Sequence, residues 1–116
     1  MKDSLQLGLS STATYTVTED MSPPHLPMKV LSTPSMIGLI EQTCLLLAQE
    51  HLDGAETTVG IHVCVSHQAA AAAGQDIQIG CELTAIDRKK LSFTTTVACG
   101  DKTVSVGTHD RFVVGG

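Results

Sequence analysis

The stretch TPSMIGLIEQTCLLLAQEHL, residues 33–52, decides the fold. Thr33 stands where an N-cap is expected, and Pro34 fills the first helical position, where a missing N–H costs nothing. The dipeptide Asp53-Gly54 then ends the helix. Apolar side chains occupy every face in between, so we expect this helix to be buried nearly all round.

Strands are predicted on both sides of this helix in the sequence. Residues 57–66 alternate with a period of two, which places four apolar side chains on one side of a strand. This row consists of Val59, Ile61, Val63 and Val65. His67 continues the row, so it should point toward the helix. The other strands are predicted over residues 13–18, 76–87, 91–99 and 103–114. Short turns join the last three strands, which makes them antiparallel.

The order of elements is a strand, the long helix and then four strands, which indicates an α+β domain. A central helix wrapped by a curled antiparallel sheet of about five strands is the hotdog architecture. With 116 residues, the chain has room for one domain, residues 1–116. So small a domain leaves part of the helix and one face of the sheet uncovered, and we therefore expect a homodimer.

The composition excludes several classes of partner. Seven Lys and Arg against twelve Asp and Glu give a net charge of −5, and the chain has no Trp, one Tyr and two Phe. It therefore lacks the positive field and the stacking surface that nucleic acids require. The longest apolar run, residues 36–48, is shorter than the ~20 residues of a membrane span. The N-terminus lacks the apolar run of a secretory signal, so we expect a cytoplasmic protein.

Metal ions and cofactors are not expected. The cysteines stand singly, with no C-x-x-C pair, and should be small, reduced, buried side chains. They are Cys44, Cys64, Cys81 and Cys99. The histidines other than His67 show no ligand spacing; they are His25, His51, His62 and His109.

Glu41 and His67 are the residues whose placement requires an explanation. Glu41 is the only charged residue between Pro34 and Gln49, in a helix with apolar surroundings. Such a carboxylate can serve in a structural ion pair, and a lone histidine on an apolar face is more often a satisfied core residue. Together, however, a carboxylate and an imidazole that face each other across an apolar slot form a general acid–base pair.

Two further positions have both a structural and a chemical interpretation. Thr33 is either only an N-cap or also part of a polar site, in which its hydroxyl and the free N–H groups of the first helical turn hold a carbonyl or an oxyanion. Gly60, in mid-strand, either marks a bulge or allows a ligand to approach the backbone closely.

Three blocks of the sequence resemble the fluoroacetyl-CoA thioesterase family of hotdog proteins. They are PSMIGLIEQTC at residues 34–44, GIHVCVSH at residues 60–67 and GTHDR at residues 107–111. The resemblance covers nearly the whole chain and implies a catalytic set of Thr33, Glu41 and His67. It also implies that Gly60 and Arg111 belong to the substrate-binding region, with Arg111 in a supporting role.

This resemblance implies hydrolysis of a small acyl-CoA thioester without a cofactor. Glu41 would act either as a nucleophile, through an anhydride, or as a base toward water. Two other functions stay open: a hotdog enoyl-CoA hydratase or dehydratase, and a non-catalytic acyl-CoA-binding protein.

A basic turn is the candidate site for the CoA phosphates. Arg88, Lys89 and Lys90 place three of the seven basic residues side by side, and phosphate groups pair with such cations. The alternative is an ordinary solvated hairpin turn.

The connector between Met21 and Lys29 departs from the family pattern. The family carries phenylalanines there that cover the acyl pocket, whereas this connector has three prolines and no aromatic residue. Because prolines prevent regular structure, the connector should lie over the surface. We therefore expect little preference for fluoroacetyl-CoA over acetyl-CoA or somewhat longer acyl-CoAs.

Overall fold

The structure, a computed structural model, describes residues Met1–Gly116 and has the predicted order of elements. The elements are β1 (Ser10–Thr16), a 3-10 turn (Glu19–Met21), α1 (Thr33–Gln49), β2 (Thr57–Val65), β3 (Asp76–Asp87), β4 (Lys90–Cys99) and β5 (Lys102–Val114). The bounds of β3 agree with the prediction, whereas β1 begins three residues earlier than predicted, at Ser10. None of the helices combines the length and the hydropathy that a membrane crossing requires.

One antiparallel sheet carries α1 on one of its faces. The strand order is β1-β3-β4-β5-β2, so β1 and β2 form the two edges. The sheet does not close, and β2 pairs with β5 alone. The expected wrapping of the helix is therefore only partial, because the edge of β2 that points away from β5 has no partner strand within the chain.

The start of α1 differs from the prediction by one residue. Ser32 is the N-cap, and its side chain accepts a hydrogen bond of 3.2 Å from the Ser35 N–H. Thr33 is the first helical residue, so its side chain does not cap the helix. Since Ser32 satisfies the helix end, the Thr33 hydroxyl is available for another partner.

The predicted end of the helix at Leu52 is also wrong, because α1 stops at Gln49. The Gln49 side chain donates to the Glu56 carbonyl at 2.9 Å and accepts from the Thr57 hydroxyl at 2.8 Å. These bonds join the end of α1 to the beginning of β2. Leu52 is nevertheless buried, in the irregular segment between the helix and β2.

The inner face of α1 divides the core into two clusters. Met36 and Ile40 pack in one cluster with Ile77 and Val97, among others. A second cluster surrounds the C-terminal half of the helix; it contains Cys44, Leu47, Ala48, Leu83, Leu91, Phe93 and Val113.

The outer face of α1 is open in a single chain. Gly38 and Gln42 are exposed, and Leu46 is 52% exposed. The expectation that the helix is buried all round is therefore not met within one chain. The physical reason is that one five-stranded sheet covers only one side of a helix.

A bulge in β2 changes which residues of the predicted apolar row face the helix. The register with β5 shifts between Gly60 and His62. As a result Thr58 is buried, whereas Val59 and Ile61 are 45% and 51% exposed. The extra residue reverses the alternation. Since His67 lies beyond the bulge, its predicted orientation toward the helix is still correct.

The cysteines are all free, but they are not all buried. Cys44, Cys81 and Cys99 lie in the core, as predicted, whereas Cys64 is exposed. Cys64 lies on β2 beyond the bulge and pairs with the exposed Thr108.

Replacing Gly107 by alanine should destabilise the β2–β5 pairing. A Cβ at this position would lie 2.6 Å from the Cα of Val65 and would overlap the Cys64 carbonyl. Both neighbours are backbone, so the strands would have to separate, at a cost of about 1–3 kcal/mol in unfolding free energy. Urea denaturation measures this loss.

The matched control is Gly80→Ala, at another strand glycine. There the nearest atom is the Thr96 hydroxyl, 3.0 Å from the added Cβ, and a side chain can rotate away. Gly80→Ala should therefore lose much less stability than Gly107→Ala. Equal midpoints for the two variants would contradict this account of the β2–β5 contact.

Candidate active site

Thr33 and His67 meet at the N-terminal end of α1. The Thr33 Oγ1 lies 2.7 Å from the His67 Nδ1, a hydrogen bond between the first residue of the helix and the segment after β2. A cavity of about 400 Å³ opens beside this pair. Its other lining residues are Pro23, Leu26, Val30, Leu31, Ser32, Gln68, Ala69 and Ala70.

The connector forms one wall of this cavity. Pro23 and Leu26 line it, while Met28 is 65% exposed. The Ser32 N–H donates to the Met21 carbonyl at 2.8 Å, which ties the beginning of the connector to the N-cap of α1. The predicted course of the connector over the surface is confirmed. Its lack of regular structure is confirmed except at Met21, which is the last residue of the 3-10 turn. No aromatic residue lines the cavity.

Glu41 lies in a different cavity. This second cavity also measures about 400 Å³ and is lined by Glu41, Gln42, Leu45, Leu46 and Arg111. The Glu41 side chain is 38% exposed, and its Oε2 lies 3.4 Å from Nη1 of Arg111. The expected surroundings of Glu41 are therefore only partly apolar, because an arginine faces it and solvent reaches it.

A single chain does not bring Glu41 and His67 together. Thr33 and Glu41 are eight residues apart in α1, which separates their backbones by about 12 Å along the helix axis. Glu41 lies against Gly60, where an added Cβ would overlap the carboxylate. Because α1 runs antiparallel to β2, the Thr33 end of the helix meets His67, and the middle of the helix meets Gly60. The predicted pairing of Glu41 with His67 is therefore absent within one chain.

Arg111 is buried, and each of its three side-chain nitrogens makes at least one hydrogen bond. Its Nε donates to the Thr58 hydroxyl at 2.7 Å, and Nη2 donates to the Thr58 carbonyl at 3.0 Å. Its Nη1 lies 3.1 Å from the Nε2 of His109. Burial lowers the pKa of the Arg111 guanidinium, and the Glu41 carboxylate opposes that shift. Arg111 therefore links Glu41 on α1 to Thr58 on β2.

Thr58 and His109 are the site residues that the sequence analysis did not identify. His109 is two residues before Arg111 on β5, so both side chains lie on the same face of the sheet. That spacing in the block GTHDR was a usable signal for His109. Thr58 gave no comparable signal, because the predicted register of β2 placed it on the outer face.

The basic turn joins β3 to β4, and none of its residues lines the cavity beside Thr33. Arg88 and Lys89 form a two-residue hairpin loop between Asp87 and Lys90. Together with Phe112 these residues line an open cavity of about 740 Å³. Lys90 pairs with Phe112, and the next pair along the strands is Leu91 with Arg111. The turn therefore lies at the end of the sheet that carries Arg111.

A metal centre would need several ligating side chains close together. No group of three or more His, Cys, Asp or Glu residues is placed to hold a metal ion. The polar side chains that line the two cavities instead carry two hydroxyls, one imidazole, two amides, one carboxylate and one guanidinium.

Comparison with known proteins identifies the family. The family model described as fluoroacetyl-CoA-specific thioesterase matches residues 11–116. The chain belongs to this family. A curated relative, the fluoroacetyl-CoA thioesterase of Streptantibioticus cattleyicolor, is 28% identical over 128 aligned residues, which cover 98% of this chain and 88% of the relative.

Solved structures confirm the hotdog fold. The crystal structure of a phenylalanine-to-alanine variant of the fluoroacetyl-CoA-specific thioesterase superposes with a TM-score of 0.91 at 26% identity, covering 97% of this chain and 90% of that one. A thioesterase superfamily member from Thermus thermophilus superposes with a TM-score of 0.87 at 16% identity, covering 95% and 84% of the two chains. As a member of the fluoroacetyl-CoA thioesterase family, the protein is a thioesterase.

Proposed function

We propose that the protein hydrolyses small acyl-CoA thioesters with Thr33, Glu41 and His67 as its catalytic set. The observation that carries this proposal is the Thr33–His67 hydrogen bond of 2.7 Å beside a cavity with mainly small and aliphatic walls. A hydroxyl and an imidazole at a helix N-terminus suit a thioester carbonyl, because the helix end stabilises developing negative charge.

The reaction divides among the three residues as follows. The hydroxyl and the backbone N–H of Thr33, or the backbone at Gly60, hold the carbonyl oxygen as it becomes an oxyanion. Glu41 either attacks the acyl carbon to form an anhydride or removes a proton from the attacking water. The bond between the acyl carbon and the CoA sulfur breaks, and His67 passes a proton to the leaving thiolate. On the nucleophilic route water then hydrolyses the anhydride and frees Glu41. On either route the proton that this water gives up replaces the one that His67 donated. The products are the free acid and CoA.

In this proposal a second copy of the chain brings Glu41 close to the Thr33–His67 pair. Within one chain Glu41 is about 12 Å along the helix from Thr33, while the outer face of α1 beside it is open at Leu46 and Gln42. The free edge of β2 lies next to this face. A homodimer that covers both would place Glu41 of one chain near the Thr33–His67 pair of the other.

Arg88, Lys89 and Lys90 bind the phosphates of CoA in this proposal. Arg88 has a φ of 58°, in the left-handed region that glycine or asparagine adopts at lower cost. A bulky cation at such a position supports a role for its charge. The open cavity beside the turn has room for a nucleotide portion.

Substitution of the catalytic set tests the reaction directly. Glu41→Gln and His67→Ala should each lower kcat by at least ~100-fold, because each removes a group that handles protons or the acyl carbon. Thr33→Ser should retain most activity, since the hydroxyl remains. The measurement is release of the free CoA thiol from a panel of short acyl-CoAs, with circular dichroism as the control for folding.

Two outcomes would contradict the proposal. Full activity of a folded Glu41→Gln protein would remove Glu41 from the mechanism. A change in enoyl absorbance without thiol release would instead identify a hydratase.

The acyl preference should be weak. The cavity wall from Pro23 to Leu31 contains no aromatic side chain, so nothing rigid contacts the α-carbon tightly enough to distinguish fluorine from hydrogen. Differences of this size are worth at most ~1–3 kcal/mol in a well-formed apolar pocket. The values of kcat/KM for acetyl-CoA and fluoroacetyl-CoA, measured under identical conditions, should therefore be similar. A preference for fluoroacetyl-CoA above ~1000-fold would show that other residues select the acyl group.

A further inference from the structure

His109 is a buried histidine to which the proposed reaction assigns no role. Its exposure is 0%, and it lies on β5 between the backbone of β2 and the guanidinium of Arg111. Its Nδ1 is 2.7 Å from the His62 carbonyl oxygen, and its Nε2 is 3.1 Å from Nη1 of Arg111. The Glu41 carboxylate is the next charged group, with Oε2 4.0 Å from the same Nε2.

These two contacts determine the tautomer of His109. A carbonyl oxygen accepts hydrogen bonds and cannot donate, so the proton must be on Nδ1. Nη1 of Arg111 has only donors, so Nε2 must offer its lone pair. Burial is the largest influence and lowers the pKa of His109, and the charge of Arg111 lowers it further. The bond to the His62 carbonyl and the carboxylates of Glu41 and Asp110 act the other way, but the pKa stays below its ordinary value. His109 is therefore neutral and has one donor and one acceptor, both in use.

The Nε2 lone pair of His109 is one of the hydrogen-bond acceptors that hold the Arg111 guanidinium in place. Thr58 accepts from Nε and Nη2, and His109 accepts from Nη1. With these three bonds the plane has no freedom to rotate, and Nη1 is directed at the Glu41 carboxylate, 3.4 Å away. Without the imidazole lone pair, a buried N–H of Arg111 would have to find another acceptor.

We infer that His109 is a positioning residue, a neutral Nδ1-protonated imidazole that accepts from Arg111 and thereby fixes the orientation of the Glu41 carboxylate. This inference rests on the proposed function, because it assumes that the carboxylate of Glu41 takes part in the reaction. His109 itself does not touch the acyl group in this arrangement.

Three substitutions on β5 separate positioning from simple packing. His109→Leu fills much of the volume but removes the acceptor, so kcat should fall about 10- to 100-fold while KM changes little. His109→Gln can donate to the His62 carbonyl and accept from Arg111, so it should recover most of that loss. Ser105→Ala is the matched control, because Ser105 is equally buried on the same strand but its hydroxyl has no hydrogen-bond partner. It should leave kcat unchanged.

A spectroscopic measurement on the unmodified protein does not depend on whether these variants fold. With ¹⁵N-labelled histidine, the His109 signals, assigned by their loss in His109→Gln, should be those of a neutral ring protonated at Nδ1 throughout the neutral pH range. A ring protonated at Nε2, or a doubly protonated ring, would overturn the inference. Equal kcat values for folded His109→Leu and wild type would also overturn it.

The failure of this inference is distinguishable from failure of the proposed function. If Glu41→Gln is fully active, the proposed mechanism fails first. If Glu41→Gln is inactive but His109→Leu is not impaired, the role of Glu41 stands and the positioning role of His109 is wrong.

Discussion

The antiparallel packing of α1 along β2 is the constraint on which the rest of the site depends. Three contacts define it: Thr33 with His67, Glu41 with the backbone at Gly60, and Gln49 with Thr57. A helix is stiff and rises about 1.5 Å per residue, so its two functional positions stay about 12 Å apart. One chain therefore holds a hydroxyl–imidazole pair at one end of the helix and, apart from it, a carboxylate–guanidinium pair at the middle.

A buried arginine is the second constraint. Burying a guanidinium is costly unless all its donors are satisfied, and this chain supplies Thr58, His109 and Glu41 for the purpose. The need for hydrogen-bond acceptors around this guanidinium explains why polar side chains interrupt the inner face of β5. It also explains Gly60, since any side chain there would take the space of the Glu41 carboxylate.

The pattern of the sequence predicted the order of the elements, the antiparallel meander from β3 to β5 and the orientation of His67. Periodicity and turn residues are local signals, and these elements follow them. The errors arise where a single residue changes the outcome. One extra residue in the bulge after Gly60 reversed the faces of Val59 and Thr58, and capping by Ser32 instead of Thr33 freed the hydroxyl that now bonds His67. The separation of Glu41 from His67 depends on the direction of α1 relative to β2, which no local pattern encodes.

Our central proposal is that each active site combines residues of two chains, and a mixed dimer tests it most directly. His67→Ala and Glu41→Gln chains are co-expressed with different affinity tags, and dimers that carry both tags are purified and assayed for CoA release. If the site is shared, every mixed dimer keeps one intact site, so it should regain about half of the wild-type activity although each parent is inactive. Mixed dimers as inactive as their parents, or a wild-type protein that is an active monomer by light scattering, would contradict the claim.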